Sequence, residues 1–415
     1  MCFTASLICG NAFAQEDNDS AELGDVFGTK GGYVHPFASL AYASSDNIYY
    51  AEDDPTGDTI TTLSIGIWFA LPASRDQILN LETSNYAPGG LEISREYKPY
   101  VDRYQLYFLY SGTDERYSDE DENNVQKHKA EAFGQYNLKG GLTFELVGQH
   151  NKSAEAKEIS KDSTLDNTYT ANLIGFLALY HFSETTRIEL EASNFSVNYD
   201  ENENEAKNRT DSSAALAFYL GLTEKTKVFA GYETIDVKYE EDTIDNKQNQ
   251  MFVGFSWQAT EKSKGKIKVG QATKTFEEDD TYDDANSSFV ELTANHEFTP
   301  KTSLTASGSR RMRETTTSVS SYYYIQNQNL LLAYKQNITE KLSLRVNYDY
   351  SFDVYNALTG DDREDTITTP ELTVGYGFTD WLSAEVGFSS TKIESTIDTY
   401  DATNNTGYIR VTGYL

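Results

Sequence analysis

Glu189 and Glu191 stand two residues apart, so in an extended chain both carboxylates face the same side. Such a pair can cleave a glycosidic bond if its surroundings keep one group protonated and the other ionised. Nothing near them in sequence separates the two, which favours a wetted wall over a catalytic pair. The five histidines, His35, His128, His150, His181 and His296, are separated by long intervals. His181 and His296 fall near the ends of apolar alternating stretches, where an imidazole suits an interface between membrane and water. The chain contains no G-x-S-x-G, H-E-x-x-H or glycine-rich phosphate loop, and its only cysteines are Cys2 and Cys9. The expectation is a protein without catalysis, resident metal or cofactor.

Other ionic residues fall on one parity of the alternating stretches and mix both signs. The candidates for lining an interior are Arg103, Glu145, Arg187, Glu189, Glu191, Lys266, Lys268, Glu291, Arg311, Arg345, Asp349, Glu385 and Arg410, with Glu131, Lys227, Glu233 and Glu371 on the same face. A conduit for a polyanion needs a strong excess of Arg and Lys on that face. The balance here points to a neutral or weakly charged permeant.

The elements that must position these residues are announced by a recurring turn phrase. It reads Ser183-Glu184-Thr185-Thr186, Thr223-Glu224-Lys225-Thr226, Thr260-Glu261-Lys262-Ser263, Thr299-Pro300-Lys301-Thr302, Thr339-Glu340-Lys341-Leu342 and Thr379-Asp380-Trp381-Leu382, in steps of 40, 37, 39, 40 and 40 residues. One step holds two strands, a short turn and a longer loop, so the repeating unit is a β-hairpin. Between turns the apolar residues alternate, as in Leu63, Ile65, Ile67, Phe69 and Leu71, or Met251, Val253, Phe255 and Trp257. The opposite parity carries small polar residues such as Ser303, Thr305 and Ser307. Aromatic residues collect beside turns, at Phe182, Phe298, Tyr334 and Phe378. This is the pattern of a transmembrane barrel with lipid-facing apolar residues and a wet lumen. About nine hairpins predict an all-β fold: one antiparallel up-and-down barrel of about 18 strands, with long outer loops and short periplasmic turns.

Composition agrees. Tyr (30) and Phe (21) are abundant and Pro (7) is scarce among 415 residues, and mean hydropathy is −0.58. The sequence lacks the run of about 18 apolar residues that a membrane-spanning helix requires. The formal charge of −31 makes nucleic acid an unsuitable partner. Most of that charge sits in loops centred near Asp53, Asp121, Lys157, Glu203, Asp242, Asp280, Thr316, Asp361 and Thr399. These acids suit a solvated edge, and they also suit divalent cations shared with lipopolysaccharide phosphates. The opposite turns carry Lys139, Lys225, Lys262, Lys301 and Lys341, which orients the loops outward and the turns toward the periplasm. The expected partners are outer-membrane lipids and lipopolysaccharide; oligomeric state is open.

Ala12-Phe13-Ala14-Gln15 fits a signal-peptidase site, giving a signal peptide over 1–14, a short periplasmic segment over 15–32 and the barrel over 33–415. The leader's apolar stretch is brief and lacks an initial Lys or Arg, as a leader truncated at its start would. One stretch breaks the hairpin rhythm. Ser74 to Asp102 should be a tight periplasmic turn, yet it is nearly 30 residues long and contains Asn85-Tyr86-Ala87-Pro88-Gly89-Gly90. An extra hairpin, a periplasmic contact and a segment folded into the lumen all fit.

The chain resembles the putative β-barrel porin 2 family of bacterial outer-membrane proteins. The resemblance rests on His35-Pro36-Phe37 with Ser45-Asp46-Asn47-Ile48, on Tyr110 to Tyr117 with Glu115-Arg116-Tyr117, on Asn208-Arg209-Thr210-Asp211 leading into Leu222-Thr223-Glu224-Lys225-Thr226, and on Val237-Lys238-Tyr239. It implies an outer-membrane channel, associated in that family with exopolysaccharide synthesis and export, and hence periplasmic export partners. Two departures are the long Ser74 to Asp102 stretch and the end at Tyr414-Leu415, where an aromatic last residue is usual. A structural or adhesion barrel with a blocked lumen and a general diffusion porin are the competing expectations.

Overall fold

The computed structural model describes residues 32–414 apart from 75, 96, 101, 156–166, 241–243, 261, 277–281 and 316–321. The expected signal peptide and all but the last residue of the 15–32 segment lie outside the described residues, as do the acidic run Glu277 to Asp280 and Leu415. The strands of the first half are β1 (Val34–Ser45), β2 (Asp58–Leu71), β3 (Tyr104–Tyr117), β4 (Val125–Asn137), β5 (Leu142–Ala154), β6 (Thr168–His181), β7 (Thr186–Tyr199), β8 (Arg209–Thr223) and β9 (Thr226–Tyr239). Those of the second half are β10 (Asn246–Thr260), β11 (Ser263–Phe276), β12 (Ala285–Thr299), β13 (Thr302–Arg313), β14 (Tyr322–Asn337), β15 (Leu342–Ala357), β16 (Arg363–Thr379), β17 (Leu382–Ser395) and β18 (Ala402–Tyr414). Each pairs antiparallel with its neighbours in sequence, and β1 pairs with β18 as well as with β2, which closes an 18-stranded barrel. Closure satisfies the backbone of every strand without water, the condition for crossing hydrocarbon.

The repeated phrase forms the short turns for a local reason. The first residue's hydroxyl accepts the backbone N–H two positions on: Lys225 N–H to Thr223 Oγ1, Lys262 to Thr260, Lys301 to Thr299 and Lys341 to Thr339, each 3.2 Å, and Thr185 to Ser183 Oγ at 3.3 Å. Ser or Thr at that position fixes the bend by satisfying a donor the ladder leaves free. The strand parity also has a clear outcome. Ile65, Ile67, Leu216, Phe218, Met251, Val253, Leu372 and Val374 are exposed on the barrel's outer surface, as lipid-facing residues must be.

The inner face departs from the expected small polar lining. On β5 to β9 the inward positions include Val147, Leu173, Leu177, Leu179, Phe195, Val197, Ile235 and Val237, all buried. Four of them are covered from inside by the connection after β2: Leu81 belongs to the same buried cluster as Val147, Leu173, Phe195 and Val197, with Leu79 and Leu91 packed against it, while Ile235 and Val237 cluster with Ile244. Small polar inward residues are found instead on β13 (Ser303, Thr305, Ser307 and Ser309) and on β16, β17, β18 and β1.

The two faces predict different tolerances. Arg at Leu216 or Val253 is expected to destabilise the barrel by about 2–4 kcal/mol at the bilayer midplane, whereas Arg at inward Thr305 is expected to be tolerated. Urea titration in lipid vesicles measures the difference, and equal cost at both faces would contradict the assigned parity.

Candidate functional site

Residues 72–103 connect β2 to β3 at the short-turn end, and the chain there climbs into the barrel instead of turning. A β-bridge between Thr83 and Leu91 and the hydrogen bond from Ser84 N–H to Gly90 O, 3.0 Å, pinch the insert into a loop. Its tip, Pro88-Gly89-Gly90, is a single turn with both glycines in the left-handed region, at φ of 74° and 80°. Glycine is needed at Gly90 for a second reason: a Cβ there would lie 2.3 Å from the Phe195 ring on β7.

The ascending limb is held by β4 and β5. Glu131 accepts from Leu81 N–H at 3.0 Å, Gln149 Nε2 donates to Leu81 O at 2.7 Å, and Thr83 Oγ1 donates to Gln149 Oε1 at 2.6 Å. Polar side chains on strands thus replace the strand partner that the limb's backbone lacks.

Around the tip the contacts become ionic. Arg209, on β8, pairs with Asp211 at 3.1 Å, donates to Asn85 O and, at 3.3 Å, to Ala87 O, while Asp211 Oδ2 accepts from Gly89 N–H at 2.9 Å. Just past β13, Glu314 donates its backbone N–H to Tyr86 O at 2.8 Å; its carboxylate pairs with Lys274 and accepts from Tyr239 OH at 2.8 Å and Asn246 Nδ2 at 3.1 Å. Arg209, Asp211, Lys274 and Glu314 are essentially inaccessible to water.

The descending limb crosses to β11, β12 and β13. Glu92 pairs with Arg313 at 2.9 Å, Arg311 donates to Leu91 O, and Ser94 bridges Glu291 (N–H to Oε2, 3.1 Å) and Lys268 (Nζ to Oγ, 2.9 Å). It then returns to the entry side, where Arg95 meets Glu145 at 2.7 Å and Gln135 Nε2 donates to Lys98 O at 3.2 Å.

The interior candidates therefore divide. Glu145, Lys268, Glu291 and Arg311 hold the inserted segment. Arg187 pairs with Glu189 at 2.7 Å, and its guanidinium lies 4.2 Å from the Tyr219 ring centre and 5.4 Å from that of Tyr97 in the segment. Glu191 shares the inward parity of Glu189, and Lys266 lies 5.2 Å from the Phe229 ring. Arg345, Glu385 and Arg410 form their own group, with Arg345–Glu385 at 2.7 Å and Arg410–Glu385 at 3.9 Å. Asp349 lies on the same inner face of β15 as Arg345 and is partly buried. Arg103 is placed differently from expectation. It precedes β3 and is exposed, and its Nε donates to the hydroxyl of Tyr136, an outward residue, at 2.8 Å. Parity counted back beyond the first strand residue does not bind a side chain, and the guanidinium swings to the outer rim.

Sequence reasoning missed Arg209, Asp211, Lys274, Glu314, Arg313 and the segment's own Glu92 and Arg95. The available signal was an Arg and an Asp at i and i+2 at the start of a strand, placing two opposite charges on one inward face.

A family model for putative β-barrel porin 2 matches residues 100–414. The chain belongs to that family. As a member, and as a closed 18-stranded barrel, it is a bacterial outer-membrane protein of the porin-like channel class. The match begins at the last residues of the 72–103 connection, so β1, β2 and the insertion's tip precede it. No curated protein matches the chain. Among solved structures it is similar to Pseudomonas aeruginosa OccK2 in complex with glucuronate, at 10% identity over 92% of this chain and 97% of that one, TM-score 0.46. It is also similar to Acinetobacter baumannii OccAB3, at 11% identity over 92% and 98%, TM-score 0.45. The copper transporter OprC is 10% identical, with 88% of this chain and 64% of that chain covered, TM-score 0.42.

The ionic clasp of the porin's insertion carries a pH dependence. Burial alone would push the Glu92 carboxyl up, but the guanidiniums of Arg313 and Arg311 hold it below the ordinary 4.5. A carboxylate depressed in the folded state contributes its hold fully above the unfolded value and loses it as pH falls through the folded one. Over a titration from neutral pH down through the ordinary carboxylate range, conductance is therefore expected to rise only once the pH falls below that range, as the descending limb loosens. Bilayer recordings across that range check it; Glu92→Gln should remove the acid step.

Proposed function

We propose that this porin is a channel narrowed by residues 72–103 that passes a neutral or weakly charged, hydroxyl-rich solute, a polysaccharide or a related molecule, across the outer membrane. The observation that carries the reading is the inserted loop itself. A barrel of about 18 strands is wide enough to hold an aqueous channel, and here one connection is folded into it and held by β4, β5, β8 and β11 to β13. The choice of solute rests on neutralisation. Arg95 with Glu145, Lys268 and Arg311 with Glu291, and Arg345 and Arg410 with Glu385 leave a lumen of paired charges, not a field of one sign. On this reading the protein works by passage, without catalysis, in contact with outer-membrane lipid and lipopolysaccharide and with export partners in the periplasm.

Purified protein in planar bilayers tests the channel, and deletion of the gene followed by assay of surface polysaccharide tests the solute. The dry packing around Arg209 and Glu314 supports a second reading, a structural barrel whose loops act at the surface. A folded protein that conducts neither as wild type nor after removal of the insertion would favour it.

A further inference from the structure

We propose, resting on the channel reading above, that solute passes between the inserted loop and the wall formed by β16 to β18, and that Glu371, Glu385, Tyr408 and Arg410 of that wall, with Arg345 of the adjoining β15, set what passes. Three observations converge on this side of the barrel.

The first is stature. Apolar inward residues of β5 to β7 meet the insertion, whereas the inward positions of β16 to β18 include the short Thr369, Thr373, Ser389 and Thr412, of which Ser389 and Thr412 are partly exposed. The second is access to water. Arg345, Glu385 and Arg410 keep 18–21% of their side-chain surface, while Glu145, Glu291 and Arg311, which hold the insertion, keep 3–5%.

The third is how the wall's polar groups are partnered. Glu371 accepts from Tyr408 OH and from Asn347 Nδ2, each at 2.9 Å, and from Thr373 Oγ1 at 3.2 Å. Glu385 is shared by two guanidiniums. Tyr408 stands opposite Gly387, where a Cβ would come within 2.3 Å of the ring, so the phenol lies flat against the wall. The group offers donors and acceptors of both signs beside an aromatic ring, with little net charge. A hydroxyl-rich chain can exchange hydrogen bonds with such a surface without separating its ion pairs. A small ion of either sign gains much less from it.

The test uses charged thiol reagents, since the sequence has cysteine only at Cys2 and Cys9. In full-length protein carrying Cys2→Ser and Cys9→Ser, single variants Ser389→Cys and Thr412→Cys are compared with Leu177→Cys and Val147→Cys during bilayer recording. The expected result is that a cationic methanethiosulfonate reduces current at Ser389→Cys and Thr412→Cys and leaves it unchanged at Leu177→Cys and Val147→Cys. Glu385→Gln, which leaves Arg345 and Arg410 unbalanced, is expected to shift the reversal potential in a salt gradient toward anion selectivity. Reaction at Leu177→Cys with Ser389→Cys silent would place the path on the other wall and overturn the proposal. So would an unchanged reversal potential in folded Glu385→Gln. Failure of the channel reading is distinguishable: neither the wild type nor a variant lacking the insertion would then conduct at all.

Discussion

Replacing residues 74–102 with a short Asn-Gly turn is expected to raise single-channel conductance several-fold while the barrel still folds. The ladder between β2 and β3 already extends to Leu71 opposite Leu106, so the two strands can be joined directly by a tight hairpin. The deletion removes the limbs that cross the lumen and exposes the apolar patch of Val147, Leu173, Phe195 and Val197, at roughly 25 cal/mol for each Å² wetted. The barrel loses stability by that route, but its strand ladders are untouched. Arg209, Asp211, Lys268 and Glu291 are not stranded as dry charges, because the space the loop leaves fills with water. Retention of the heat-modifiable mobility of a folded barrel is the control. A correctly folded deletion with wild-type conductance would mean that the insertion does not limit the pore.

The fold was legible because two of its signals are local. Ser or Thr opening each short turn acts through a hydrogen bond only two residues long, and lipid contact leaves a period of two in any strand. The insertion's destination was not legible, because its partners lie far away in sequence: Gly89 meets Asp211 and Leu91 meets Arg311. Length and the Pro-Gly-Gly phrase marked Ser74 to Asp102 as unusual without saying where it goes. The inner face misled for a related reason. Leu173, Leu177 and Leu179 oppose the outward Ile174, Phe176 and Tyr180 on β6, so both parities are apolar there. An apolar residue facing lipid and one facing an inserted loop read alike in sequence. Two-sided hydrophobicity in a barrel strand is itself the sign that something is packed inside.

Arg209→Met is expected to have the largest effect of any single substitution in the insertion's seat, about 3–5 kcal/mol of lost stability. The guanidinium neutralises Asp211 and donates to Asn85 O and Ala87 O, so its removal leaves a carboxylate and two carbonyls poorly satisfied in a site that excludes water. The resulting strain falls on the loop's tip, which is tied to the wall through Asp211 and Gly89. Release of the tip should appear as flickering, higher-conductance openings at neutral pH. Arg209→Met combined with Asp211→Asn separates charge from packing. Asn keeps an oxygen to accept from Gly89 N–H but carries no charge, so the double variant should recover most of the loss. Chemical denaturation in vesicles and bilayer recording read the two effects independently. If the double variant is as unstable as the single one, the buried charge is not what fixes the tip, and the backbone turn at Pro88-Gly89-Gly90 with its fit against Phe195 must hold the loop instead.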